Sequence, residues 1–326
     1  MSTFTRAMWT KIRDGFESSK RTPTSNTTSN TSVPPYASRT YAFNGDVIME
    51  LDRQERVTHV SSSGPAHRPL FTVGVGVFDL LMLIIMYIVQ RGTTLTSDTW
   101  IKMGGKYVPC MKALTYKAER DMYNSGLKSQ CHAFLFPYQI YRFFTPMFLH
   151  GGVTHLLNNL VYQALAGSLL ERKYGTKTFA ISYILFGFSG NIMSALVRPK
   201  TVSVGASGAV YGLLFFCIID NTLRIFTIKN LQDKIIQFLI MLLVIPYFVM
   251  SVFLDVDFSG RIDHAAHGGG ALMGILVAIF LCEMPEFITK RVPNGARRIQ
   301  FVALVAIVGY FCISLLVFYI KPIRMK

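Results

Sequence analysis

Ser207 sits in Gly205-Ala206-Ser207-Gly208, where an apolar run reaching Ile219 begins. A helix start leaves N–H groups without intrahelical partners and carries partial positive charge. Beside a serine, those donors would stabilise the oxyanion formed when its hydroxyl attacks a carbonyl. Small residues at a membrane helix start usually serve packing, so Ser207 gains meaning only from its company. A nucleophilic serine needs a base, and Asp263-His264-Ala265-Ala266-His267-Gly268-Gly269-Gly270 opens a second apolar run. His264 and His267 are three residues apart, so both reach one cavity. Gly270 and Gly274 make a small face on which another helix backbone can close. His267 lies one turn before Gly270 on that face and is the expected base, with His264 nearer the mouth.

His155 and Asn159 are spaced i, i+4 and project from one helix face, so either can donate to an oxyanion at Ser207. Asn158 points about 100° away and reads as a loop or interface contact. His150 precedes that helix and can brace the loop. Tyr211, four residues after Ser207, can pack its ring on the imidazole, and plain packing explains it about as well. No carboxylate lies on the same stripe, so a Ser–His dyad is the economical arrangement, with Asp263 as an alternative orienter. A histidine metal site would lack the carboxylate or thiol partners usual for zinc; neither metal nor cofactor is expected.

These residues need elements that hold them in a membrane. The chain is 51% hydrophobic and 16% charged, with the apolar residues in long runs that show no alternation. Only helices or closed barrels satisfy their backbone in lipid, and the missing alternation excludes a barrel. The fold class is an all-α polytopic membrane protein. The formal charge of +15 is scattered through tail and loops with no basic cluster interleaved with aromatics. Lipid headgroups, not nucleic acid, are its expected counterions.

Seven spans are expected, at about 70–90, 155–170, 179–197, 207–223, 235–254, 265–282 and 301–320. Ser207, His264, His267, His155 and His150 then all fall at one end of the bundle, which predicts a polar cavity there. Lys and Arg favour the other end, in the loops after the second, fourth and sixth spans, so the N-terminus is expected in the cytosol and the cavity away from it. Residues 1–69 are polar and expected to be disordered. Asn26 and Asn30 fit the glycosylation sequon but stay unused on a cytosolic tail. The long loop from Arg91 to about Tyr141 ends in aromatics suited to the membrane interface. Its Cys110 and Cys131 can pair if that loop faces an oxidising compartment.

Taken together, the motifs resemble those of the rhomboid intramembrane serine proteases. Tyr141-Arg142-Phe143-Phe144-Thr145-Pro146-Met147-Phe148-Leu149-His150 looks like the family's loop motif, with Tyr where Trp is common. His150, His155 and Asn159 match His-x4-His-x3-Asn; Gly205-Ala206-Ser207-Gly208 matches the nucleophile motif; Ala266-His267-Gly268-Gly269-Gly270 with Gly274 matches Ala-His-x2-Gly-x3-Gly. Glu171-Arg172 ends the second span as in the family. The resemblance implies Ser207 as nucleophile and His267 as base. It implies His155, Asn159 and the Ser207 N–H as oxyanion donors, with Tyr211 under His267 and Gly205, Gly270 and His150 in support.

It further implies a six-helix catalytic core (70–283), preceded by the tail (1–69) and followed by a linker and one C-terminal span (284–326), as in the eukaryotic secretase-type branch. The implied substrates are single-span membrane proteins, cut within or beside their helices, in a secretory-pathway or plasma membrane ahead of the mitochondrial inner membrane. The fifth span, with Pro246 and Tyr247–Phe248, is the expected gate. Two other readings compete: a catalytically inactive relative that binds transmembrane helices, and a transporter whose polar pathway would continue through Asp220 and Asn221.

Overall fold

The stretch from Leu70 to Gln90 carries one charged residue, Asp79, and winds into a single helix, α1 (Leu70–Gln90). The computed structural model describes residues 41–43, 46–48, 68–112, 131, 138–228, 230–235, 238–239, 262–285, 288, 290 and 294–321. After α1 come α2 (Ser97–Lys102), α3 (Val153–Tyr162), a π-helical turn (Gln163–Gly167) and α4 (Ser168–Tyr174). Then follow α5 (Thr176–Val197), α6 (Ser207–Thr227), α7 (His264–Leu281) and α8 (Gly295–Ile320). Among the described residues, α1, α5, α6, α7 and α8 are each long and apolar enough to cross a membrane. The protein is an all-α polytopic membrane protein.

The chain divides into two units, 1–66 and 67–326. In the first, the described residues are two antiparallel strands, β1 (Tyr41–Phe43) and β2 (Asp46–Ile48), with Tyr41 opposite Ile48. The intervening Asn-Gly dipeptide is the sequence signal for a two-residue hairpin, so this part of the tail departs from the expected disorder. The rest of that tail and most of the expected fifth span, with Pro246, Tyr247 and Phe248, lie outside the described residues. The second expected span is not one regular helix but α3, the π turn and α4 in succession. The last helix begins at Gly295, earlier than hydropathy indicates, because Arg297 and Arg298 extend it by a polar turn and a half.

Two kinds of contact hold the second unit together. Glycine faces bring α6 and α7 into backbone contact. A Cβ on Gly270 would collide with the Gly208 carbonyl, and one on Gly274 with the Gly212 carbonyl. Those pairings run in register, so α6 and α7 are parallel and their N-termini share one end. α5 lies antiparallel to α7: the Ser189 hydroxyl donates to the Gly269 carbonyl at 2.7 Å, and Ser194 meets Asp263. α8 covers the outer side of α5, where Phe311 stacks on Phe188 and the Tyr310 hydroxyl donates to the Ser189 carbonyl at 3.0 Å.

The second kind is a buried carboxylate serving as a cap. The first N–H groups of α1 have no partner within the helix. Glu171 of α4, fully buried, accepts from Phe71 N–H at 2.9 Å, Thr72 N–H at 2.8 Å and the Thr72 hydroxyl at 2.7 Å. The Thr176 hydroxyl adds a fourth donor at 2.8 Å. Gly175, with φ +80°, makes the reversal into α5 that a side chain would strain.

Candidate active site

Ser207 is the first residue of α6 and His267 lies in the first turn of α7, so the glycine-mediated contact between the two helices brings both to one end. His267 Nε2 is 2.9 Å from the Ser207 hydroxyl. The imidazole stacks on the Tyr211 ring, centroids 4.0 Å apart and planes 10° from parallel. His267 is buried, and its Nδ1 has no partner among the described residues. His264 is exposed at the mouth, its ring 6.0 Å from that of His267. The pair is thus a dyad in geometry.

His155 arrives from α3. Gly151 N–H donates to its Nδ1 at 3.1 Å, so in the neutral ring the proton sits on Nε2. That nitrogen faces the loop entering Ser207: a Cβ on Gly205 would lie 3.0 Å from His155 Nε2 and 3.6 Å from the Ser207 hydroxyl oxygen. Gly205 has φ +134°, and its N–H donates to the Pro146 carbonyl at 2.8 Å. Only a residue without a side chain fits there. Asn159, one turn along α3 on the same face, is buried with its amide nitrogen unpartnered among the described residues. Asn158 is exposed. His150 is fully buried, its ring 5.5 Å from that of His155. Burial, with His155 beside it, pushes the His150 imidazole down to about 3, so it is neutral at any working pH. Gly270 acts by absence, admitting the Gly208 backbone.

Residues 137–284 match the rhomboid domain family model. A stretch of 147 residues is 33% identical to RHOMBOID-like protein 6, mitochondrial, of Arabidopsis thaliana, covering 45% of each chain. Rhomboid-like protease 3 of Toxoplasma gondii is 26% identical over 67% of this chain and 72% of its own. The chain carries a rhomboid domain over residues 137–284. Inactive rhomboid protein 2 of Homo sapiens is also similar, 31% identical over 58% of this chain and 21% of its own length. The match spans less than half the length of the Arabidopsis relatives. The family therefore carries intramembrane protease or inactive rhomboid-like function.

Part of what surrounds the dyad has no local signal in the sequence. Lys106, in the loop before the matched domain, has no exposed surface; its Nζ donates to the carbonyls of Arg198 and Thr201, each at 2.9 Å. Its backbone pairs with Ser203 in both directions, N–H to O at 2.9 Å and O to N–H at 3.0 Å. Burial pushes the Lys106 ammonium down to about 8, against the pull of Asp263 and with the push of Arg198. Asp263 caps α7, accepting Ala266 N–H at 3.1 Å and the hydroxyls of Ser194 and Ser203. Burial alone would raise its carboxyl; Lys106 and those donors outweigh it and hold the group below the usual carboxylate range. Asp263 therefore orients the helix and not the imidazole directly.

Cys110 and Cys131 form a disulfide with Cα atoms 5.4 Å apart. The Cys131 carbonyl accepts from Gln139 Nε2 at 2.5 Å, and Arg142 Nε donates to Gln139 Oε1 at 2.6 Å. Arg142 Nη1 reaches the carbonyls of Ile101 and Gly105 at 2.8 and 2.7 Å. The loop that holds Lys106 is thus itself held. The cysteine pair is legible in the sequence, but the carbonyls that Lys106 and Arg142 reach are not, because the loop has no periodicity and those partners lie tens of residues away.

Proposed function

We propose that this rhomboid is an intramembrane serine protease that hydrolyses peptide bonds within or beside the transmembrane helices of single-span membrane proteins. The observation that carries the reading is the 2.9 Å approach of His267 Nε2 to the Ser207 hydroxyl at the head of α6. The Ser207 oxygen attacks the scissile carbonyl carbon while its proton passes to His267 Nε2. The carbonyl oxygen becomes an oxyanion met by the N–H groups at the start of α6, by His155 Nε2–H and by the Asn159 amide. Collapse breaks the C–N bond, and the leaving amine takes the proton from His267. Water, deprotonated by the same imidazole, then attacks the acyl-serine and releases the carboxylic acid, restoring Ser207.

A substrate helix must unwind first, since its carbonyls are already hydrogen-bonded; helix-breaking residues lower that cost. We also infer that the dyad end faces away from the cytosol. The basic loops favour the other end, and the Cys110–Cys131 disulfide lies in the loop network that reaches the dyad end and needs an oxidising compartment. A transporter would need a polar path past Asp220. That carboxylate is instead engaged by Lys173 and by the Tyr174 hydroxyl at 2.7 Å.

Two measurements test the reading. Purified protein in liposomes is offered a panel of labelled single-span substrates and, separately, an alkyl fluorophosphonate that phosphonylates activated serines with loss of fluoride. Cleavage of a panel member and a mass shift on the Ser207 peptide are expected, both lost in Ser207→Ala and His267→Ala. Labelling and cleavage that persist in Ser207→Ala would end it.

A further inference from the structure

The nine residues between α5 and Ser207 form no helix, yet they are pinned along their length. Lys106 takes the carbonyls of Arg198 and Thr201 and pairs its backbone with Ser203; Gly205 hangs from Pro146. The Arg198 guanidinium reaches across to the Ile262 carbonyl, and the Ser203 hydroxyl to the Asp263 carboxylate. Asp263 begins the helix of the base: it accepts Ala266 N–H with its side chain and His267 N–H, at 3.2 Å, with its carbonyl. One buried lysine and one half-buried carboxylate, joined through Ser203, thus set where the nucleophile and the base stand relative to each other.

We propose that Lys106 and Asp263 are positioning residues of the reaction: two opposite charges, linked through Ser203, that lock the loop entering Ser207 to the N-terminus of the base helix and supply the negative charge that His267 lacks when it becomes an imidazolium. This rests on the proteolytic reading for its purpose and deepens it. A Ser–His dyad has no carboxylate on Nδ1, and His267 Nδ1 is unpartnered among the described residues. Asp263 stands four residues before that imidazole on the same helix, its carbonyl accepting the His267 N–H; His264 stands beside the imidazole, His155 lies across the Ser207 loop, and Tyr211 stacks beneath. Lys106 is the cation that acts on Asp263, and Arg198 in turn acts on Lys106.

The signs separate electrostatic positioning from mere structural support. Removing the anion (Asp263→Asn) makes His267 harder to protonate, so the acid limb of kcat/KM moves to lower pH. Removing the cation (Lys106→Met) leaves Asp263 untempered and moves that limb to higher pH, each by about half a unit to one unit. Turnover falls roughly tenfold or more in both, with KM little changed. Ser203→Ala deletes one link without leaving a buried charge unpaired; it folds as wild type, and kcat falls by about threefold to tenfold. The direct readout is the titration of His267 by NMR of ring-labelled protein in detergent micelles, assigned by the signal missing from His267→Gln.

Opposite shifts of that titration in Asp263→Asn and Lys106→Met establish the two linked charges even where no substrate has been cleaved. Shifts of one sign in both, or none in either, overturn the inference while leaving wild-type cleavage and Ser207 labelling as they stand. If Asp263→Asn or Lys106→Met does not fold, Ser203→Ala decides: wild-type kcat there overturns the proposal.

Discussion

The two ends of this bundle treat buried polar groups in opposite ways. At the end where α1 and α5 begin, two buried carboxylates are met by donors. Glu171 accepts four hydrogen bonds from Phe71, Thr72 and Thr176, and Asp220 is held by Lys173, Tyr174 and Cys282. At the end where α6 and α7 begin, both nitrogens of His150, the Asn159 amide nitrogen and His267 Nδ1 have no partner among the described residues. Burying a polar group without a partner costs about 1–3 kcal/mol. Such a cost is tolerated where a group is reserved for something that arrives later, and saturated clusters mark places that only hold the fold. Polarity in a membrane helix is thus not enough to mark function. Asp79 Oδ1, Gln163 Oε1 and the Tyr183 hydroxyl are also buried without a partner among the described residues, so an open hydrogen bond points to function only where it stands beside Ser207.

That contrast can be attacked from either end. The largest effect belongs to the dyad: Ser207→Ala or His267→Ala should reduce cleavage by at least ~10³-fold while the melting temperature in detergent stays close to wild type. A large fall in melting temperature would make the pair structural. Next in size, Glu171→Gln should destabilise by about 2–3 kcal/mol, because a charge-assisted cap over two helix N–H groups is weakened. Thermal unfolding reads this, and the folded fraction should keep normal turnover per molecule.

Asn159→Ala comes third. If its unpartnered amide meets the oxyanion, kcat falls about 10-fold to 100-fold with stability nearly unchanged. Loss of stability with intact kcat would reverse the assignment. A smaller signature is acid sensitivity. His150, held down at about 3 from an ordinary 6.5, contributes stability that is complete above pH 6.5 and drains as the pH falls toward 3. Melting temperature should therefore fall between pH 6.5 and 4.5 in wild type, and less steeply in His150→Gln. Least of all, His264→Ala should change cleavage by less than about threefold, since that ring is exposed and the Ser207 hydroxyl is met by His267 instead. A dead His264→Ala with an active His267→Ala would exchange their roles.

Much of the site was legible because the clues are local. Ser207 at a helix start, the i, i+4 spacing of His155 and Asn159, and the glycine face below His267 are statements about one helix at a time. Helical periodicity converts them directly into shared depth and shared face. Long apolar runs announce spanning helices for the same reason: lipid admits few other ways to satisfy a backbone. The misses have causes too. Asn44-Gly45 between short apolar pairs signalled a hairpin within a polar tail. The π turn at Gln163–Gly167 left no mark in hydropathy, since inserting one residue changes packing but not composition.

Residue type and spacing alone determine that helices cross a membrane, that a hydroxyl and an imidazole lie at the same depth, and that small residues let their helices close. Packing determines the rest. The Gly151 N–H on His155 Nδ1 selects which ring nitrogen carries the proton. The Arg198 and Thr201 carbonyls turn toward a lysine more than ninety residues earlier in the chain. A carboxylate from α4 caps α1. Each of these joins groups far apart in the chain through loops or helix ends without periodicity. No local pattern encodes such partners, because they are chosen by which backbone groups the assembled fold leaves unsatisfied.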